Sequence, residues 1–259
     1  MLNMRNTRYI YISAIIIIVI ICIISYFVYS TTILENYNNN TNNIYLAKEE
    51  VISFIRNDSD RYISTLSEYD LYARNVYNPQ EYINKIINEC YDFNDSQKTK
   101  LNNCSKIARN FFDNNYIWKF ALIGDIYEEG FPHTRTDIIF LSPKIFNYND
   151  TDLITVLIHE SIHIYQRYNK TEMNKYLNNK GYKVSRRRDS EVFIRANPDL
   201  DEYIYKDKKG DELLYLYKSS TPTGINDIIP NKNEHPFEVM AYEISEQYSK
   251  LKLSKYKDI

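Results

Sequence analysis

His159, Glu160 and His163 stand in the order His-Glu-x-x-His, within Leu157-Ile158-His159-Glu160-Ser161-Ile162-His163-Ile164. On a helix, residues four apart share one face about a turn from each other. Two imidazole nitrogens so placed can take one metal ion. Neutral imidazole suits zinc, and a catalytic zinc keeps a position open for water. A water held there gives up its proton more readily. Glu160, offset round the helix, puts a carboxylate where it can take that proton as the water attacks a polarised carbonyl. Five residues thus offer two ligands and a general base. The bland alternative is a polar patch on an ordinary amphipathic helix, and the surroundings weigh against it. The run from Asp152 to Ile158 suits a buried helix, and no Gly or Pro interrupts Asp152 to Asn169. Asn149, Asp150 and Thr151 offer capping side chains just upstream.

His159-Glu160-x-x-His163 is the signature of the zincin metallopeptidases, and the chain resembles that family through this helix. The resemblance does not cover the N-terminal third. It implies an α+β catalytic domain with a small sheet, whose edge strand lies beside the cleft and pairs with an extended peptide. It also implies a third protein ligand, because two histidines leave a zinc site one short. Gluzincins take that ligand from a Glu on a later helix. Glu238 fits best, on a helix that starts with Pro236 in its first turn. Ala241, further along that face, would let the helix approach the metal helix closely. His235 and Glu191 are the rivals. The chain departs from thermolysin-like relatives in lacking an early Asn-Glu-x-x-Ser-Asp and in the long gap from His163 to Glu238. A developing oxyanion also needs a donor; the candidates are His235, Tyr242 and His133. Glu243, five residues past Glu238, points elsewhere.

The elements that must position these residues read as follows. Residues 44–115 form a helical region of three or four helices, one with Pro79 in its first turn. Residues 116–259 form the zincin-like domain. Trp118 to Tyr127 and Thr136 to Ser142 read as strands, with a turn at Glu129–His133 between them. By the resemblance, one of the two is the substrate-binding edge, and the second is favoured because it lies nearer the active-site helix in sequence. Arg186-Arg187-Arg188 reads as solvated surface. Tyr203–Lys206 and Leu213–Tyr217 read as a hairpin around Asp207–Asp211.

Upstream, residues 1–8 carry Arg5 and Arg8, and no charge occurs from Tyr9 to Leu34. Residues 9–30 read as a transmembrane signal anchor of about 20 apolar residues. The arginines before it place the N-terminus in the cytosol and the remaining chain outside it. Residues 31–43 are a polar, Asn-rich linker. Cys90 and Cys104 could close a disulfide loop in such a compartment or stay as buried thiols. The 259-residue chain has a formal net charge of -2, which gives no basic signal for nucleic acid. Its 26 tyrosines read as packing residues of an Asn/Ile/Lys-rich composition.

The resulting expectation is a membrane-anchored zinc metallopeptidase acting on a peptide or protein. His159, His163 and Glu238 bind zinc, Glu160 is the base, and His235 or Tyr242 assists. The alternative is a non-catalytic, membrane-anchored surface or adhesion module with the same fold. A deformylase is discounted, because deformylases carry a Glu-Gly-Cys-Leu ligand motif and here Glu129-Gly130 is followed by Phe131-Pro132 with no Cys.

Overall fold

The computed structural model describes residues 43–112, 115–230 and 234–255. The expected anchor at 9–30 and all of the linker but Asn43 lie outside these residues. Among the described residues no helix is long and apolar enough to cross a membrane. Residues 42–259 form one compact unit, so the helical stretch and the part bearing His159 share a single body.

The fold is α+β, with seven α-helices among the described residues. In chain order these are α1 (Lys48–Asn57), α2 (Glu68–Ala73), α3 (Pro79–Ile87), α4 (Asp95–Phe111), α5 (Asp150–Tyr168), α6 (Lys170–Lys180) and α7 (Pro236–Lys255). The strands are β1 (Asn43–Tyr45), β2 (Cys90–Tyr91), β3 (Trp118–Ile123), β4 (His133–Arg135), β5 (Ile138–Leu141), β6 (Lys183–Arg187), β7 (Tyr203–Lys206) and β8 (Glu212–Leu213). The main sheet runs β1-β3-β5-β4, with β2 sharing the β1 side of β3. β1, β3 and β5 are parallel, whereas β2 and β4 are antiparallel to their neighbours. A second, antiparallel sheet has the order β6-β7-β8. It contains the hairpin expected around 207–211, but its second arm is Glu212–Leu213, and Leu216 and Tyr217 bridge to Ile194 and Ile228 instead.

Side chains alternate across a strand, and here both faces are covered. Trp118, Phe120, Leu122, Ile139 and Leu141 face a core built with α4, α5, α6 and α7. Ala121, Ile123, Ile138 and Phe140 face a second core with α1 and α3. This is why β3 and β5 read as continuous apolar runs instead of alternating ones. It also makes β5 an interior strand. The edge beyond it is β4, which starts at the last residue of the segment read from sequence as a turn and runs through the two residues between that turn and the 136–142 strand. The expectation that the 136–142 strand forms the substrate-binding edge is therefore corrected. Residues 43–45 likewise pair as a strand with β3 and do not continue the helical spacing of α1.

Helix α5 begins at Asn149, whose side chain accepts the Asp152 N–H at 2.9 Å, with Asp150 and Asp152 at the positive end of the helix dipole. It is buried on nearly every side, as its largely apolar composition requires. α7 packs along it more extensively than any other pair of elements, and Ala241 is fully buried in that contact. Cys90 and Cys104 are free, buried thiols in different cores. Burial pushes both up to about 11, and the disulfide alternative falls away.

Strand β4 is held by Arg135, whose side chain is fully buried. Its guanidinium donates to Asp58 Oδ1 at 2.7 Å, Asp60 Oδ2 at 2.9 Å and the Tyr127 hydroxyl at 2.7 Å. It also lies over the rings of Phe54 and Tyr62. Removing one partner of a buried ion pair strands the others. Arg135→Ala is expected to lower unfolding free energy by about 3 kcal/mol in urea denaturation. A loss under about 1 kcal/mol would place Arg135 among the surface-like ion pairs.

Candidate metal centre

His159 and His163 project from one face of α5, and their Nε2 atoms lie 3.1 Å apart. Glu238, in the first turn of α7, brings its Oε2 to 3.2 Å from His159 Nε2 and 3.8 Å from His163 Nε2. Donors about 2.0–2.1 Å from a tetrahedral zinc lie about 3.3 Å from one another. Two of the three separations are close to that spacing and the third, His163 to Glu238, is wider at 3.8 Å. The three residues are the one metal-competent cluster found among the described residues. The donor set, two imidazoles and a carboxylate, is also one that zinc takes.

Surrounding groups fix each donor. His163 Nδ1 donates to Gln166 Oε1 at 2.9 Å, and Gln166 Nε2 donates to the Phe237 carbonyl at 2.8 Å. The His163 proton therefore sits on Nδ1 and Nε2 presents its lone pair to the cluster. Asn197 Nδ2 donates to Glu238 Oε1 at 2.8 Å, which leaves Oε2 for the cluster. Burial, above all, pushes His163 down to about 3, so its imidazole is neutral. For His159 burial acts in the same direction, but the Glu238 hydrogen bond and the Glu160 and Glu238 charges outweigh it and hold its pKa up. Burial raises the Glu238 carboxyl, yet the two histidines and Asn197 hold it below the usual carboxylate range.

Glu160 is 3 % exposed and lines the same cleft as His159 and Glu238, a cavity of about 330 Å³. Thr134 Oγ1 donates to its Oε2 at 2.8 Å and to its backbone carbonyl at 3.2 Å. Burial lifts its carboxyl to about 7, against the pull of His159 and the Thr134 hydroxyl. A pKa near neutrality is what a general base needs. Tyr242 lies one turn beyond Glu238 on α7. Its ring is 4.6 Å from that of His159, and it is half-exposed at the cleft. Burial pushes its phenol up to about 12, so it keeps a proton to donate.

His235 stands apart. Its Nδ1 accepts the Phe237 N–H at 3.2 Å, and its Nε2 donates to the Tyr203 carbonyl at 3.3 Å. It caps the start of α7 with its ring turned to β7, outside the cleft lining. Both ring nitrogens are used, so the structure assigns it neither the donor role nor the ligand role. Glu191 pairs with Arg186 at 3.0 Å and also lies outside the cluster. Glu243 pairs with Lys180 on the surface. His133 lines the cleft, but its Nδ1 proton goes to the Phe131 carbonyl at 2.9 Å. Burial pushes it down to about 4. The neutral ring presents a lone pair at Nε2 and cannot donate to an oxyanion there.

The outward backbone of β4 is already occupied. Thr134 N–H donates to Asp199 Oδ1 at 2.7 Å, and its carbonyl accepts from Arg167 Nη2 at 2.7 Å. An extended peptide cannot pair at Thr134 without displacing both. Thr134, Gln166, Asn197 and Asp199 were not singled out from the sequence. Gln166 carried a signal, since position i+3 from His163 shares its helix face; the others come from a short strand and a turn and carried none.

Asn197→Leu is expected to weaken zinc binding about 10–100-fold in chelator competition. An unchanged affinity would show that Asn197 does not orient Glu238. Comparison with known proteins gives no match to any family model, curated protein or solved structure.

Proposed function

We propose that this chain is a zinc metallopeptidase, anchored to a membrane through residues 9–30. The observation that carries the reading is the convergence of His159, His163 and Glu238 donors with the Glu160 carboxylate in one cleft. It agrees with the zincin resemblance of the His-Glu-x-x-His helix. His159, His163 and Glu238 would hold the ion. Zinc bound there would supply Lewis-acid polarisation of a carbonyl and make water a better nucleophile at neutral pH.

The chain's own residues do the rest. Glu160 takes a proton from the attacking water and can return it to the leaving amine. Thr134 holds the Glu160 carboxyl in place by its hydroxyl. Tyr242 stands at the mouth with a proton available for the developing oxyanion. Gln166 and Asn197 keep His163 and Glu238 aimed at the ion site. Because Thr134 is capped, the substrate is held by cleft side chains more than by strand pairing at that residue.

The test is digestion of a proteome-derived peptide mixture by the detergent-solubilised, zinc-loaded chain. Cleavage that a chelator stops and added zinc restores supports the reading. Intact peptides at full zinc occupancy would favour a non-catalytic surface module instead.

A further inference from the structure

Arg195 is a cation without a counterpart on the wall of this cleft. Its Nε is buried with no hydrogen-bond partner. Among the described residues no carbonyl, hydroxyl or carboxylate accepts from its guanidinium. Arg74 pairs with Glu128 and Arg135 with Asp58 and Asp60. Although the Arg109 Nε and Arg167 Nη1 atoms are also buried without a hydrogen-bond partner, neither of those residues lines the cleft. Arg167 donates to two carbonyls. Arg195 is also the one Arg or Lys among the described residues that line the cleft.

The residue is held firmly in that unpaired state. Its backbone N–H donates to the Tyr215 carbonyl at 2.9 Å, and its carbonyl accepts from Arg188 Nη2 at 2.8 Å. The guanidinium lies over the Tyr215 ring, 5.2 Å from its centroid. Glu234, the acid at that end of the cleft, is engaged by the His235 N–H at 2.9 Å and by the Tyr215 hydroxyl. The consecutive residues of the same segment from Arg195 to Asp199 all line the cleft. The segment that steadies Glu238 through Asn197 thus presents the guanidinium to the same space.

A partly buried guanidinium that donates to none of the described residues suits a ligand that brings the acceptor. Its fork of parallel N–H groups matches a carboxylate in two-point contact, which a single carbonyl oxygen cannot supply. We propose that Arg195 selects peptides by a carboxylate bound in this cleft, beside the metal centre. The inference rests on the peptidase reading for its substrate class. Two sources share this chemistry, the C-terminal carboxylate of the peptide and an Asp or Glu side chain.

The experiment uses the full chain in a non-ionic detergent, zinc-loaded and carrying Glu160→Gln to prevent turnover. N-acetylated random octapeptide pools are titrated by calorimetry. One pool is amidated and free of Asp and Glu, one has a free C-terminus and no Asp or Glu, and one is amidated with a single Glu. At least one acid-bearing pool is expected to bind about tenfold or more tightly than the neutral pool, the size of one charge-assisted hydrogen bond. Arg195→Gln should abolish that preference. Arg195→Lys should keep only part of it, because the charge remains and the fork is lost. A preference for the free-acid pool identifies the C-terminus as the source, and a preference for the Glu pool identifies a side chain. Equal binding of the three pools overturns the proposal. So does a preference that survives Arg195→Gln, which would place the carboxylate on the metal. Zinc content and cleavage by the chain with Glu160 intact are read in parallel. Their failure would remove the peptidase reading and leave the carboxylate preference to stand or fall on the calorimetry.

Discussion

Glu160→Gln is expected to reduce peptide hydrolysis by about 10²–10⁴-fold, the usual contribution of a positioned general base, with zinc content unchanged. The substitution keeps the size of the side chain and an oxygen that can accept from Thr134 Oγ1. An amide cannot take the proton of an attacking water. Glu160 is not among the clustered donor atoms, so the ion site should be intact. Its burial beside Asp199 adds a second expectation. Burial and the Glu160 charge hold the Asp199 carboxyl well above its usual range. Removing that charge should leave the folded protein at least as stable. Steady-state kinetics and elemental analysis on one preparation decide the matter. Activity within a few-fold of the unaltered chain would remove Glu160 as the base. Loss of zinc would mean that Glu160 supports the ion site itself.

Glu238→Ala is expected to abolish zinc retention, from about one ion per chain to nearly none after dialysis, since two imidazoles leave the site one protein ligand short. The fold should survive. Glu238 is a partner of Asn197 and of the two histidines, whereas α7 is seated by Phe237, Met240, Ala241 and Tyr248 in the core. His235→Ala supplies the contrast. It removes a capping acceptor from the start of α7, worth roughly 1 kcal/mol, and should leave zinc binding intact. Zinc retained in Glu238→Ala, or lost only in His235→Ala, would move the third ligand.

What was legible in the sequence was local. The spacing of His159, Glu160 and His163 sets their relative placement on any helix, and the capped, uninterrupted run from Asp152 to Asn169 makes the helix. The start of α7 at Pro236 gave Glu238 its place. The direction of a side chain at a helix start is a tertiary matter, and so His235 was misassigned. Adjacency to Glu238 says nothing about its ring, which turns to the Tyr203 carbonyl. The edge strand was misassigned for a related reason. Burial of β3 and β5 on both faces erases alternation and hides strand order, while β1 and β4 are three residues each and carry almost no pattern. Arg188 shows the limit of charge runs: expected as solvated surface, it donates inward to the Arg195 carbonyl, and burial pushes it down to about 10. Asn197 and Arg195 reach the cleft from a turn and a loop, and Thr134 reaches Glu160 from a short strand, all through contacts distant in sequence.

The central claim is a zinc held by two imidazoles and one carboxylate. Zinc K-edge absorption spectroscopy of the zinc-loaded full chain tests it most directly. The expected spectrum shows imidazole and oxygen scatterers at about 2.0–2.2 Å and no sulfur. Sulfur at about 2.3 Å, which only thiols such as Cys90 and Cys104 or a thioether could supply, would contradict it, and so would a chain that binds no zinc.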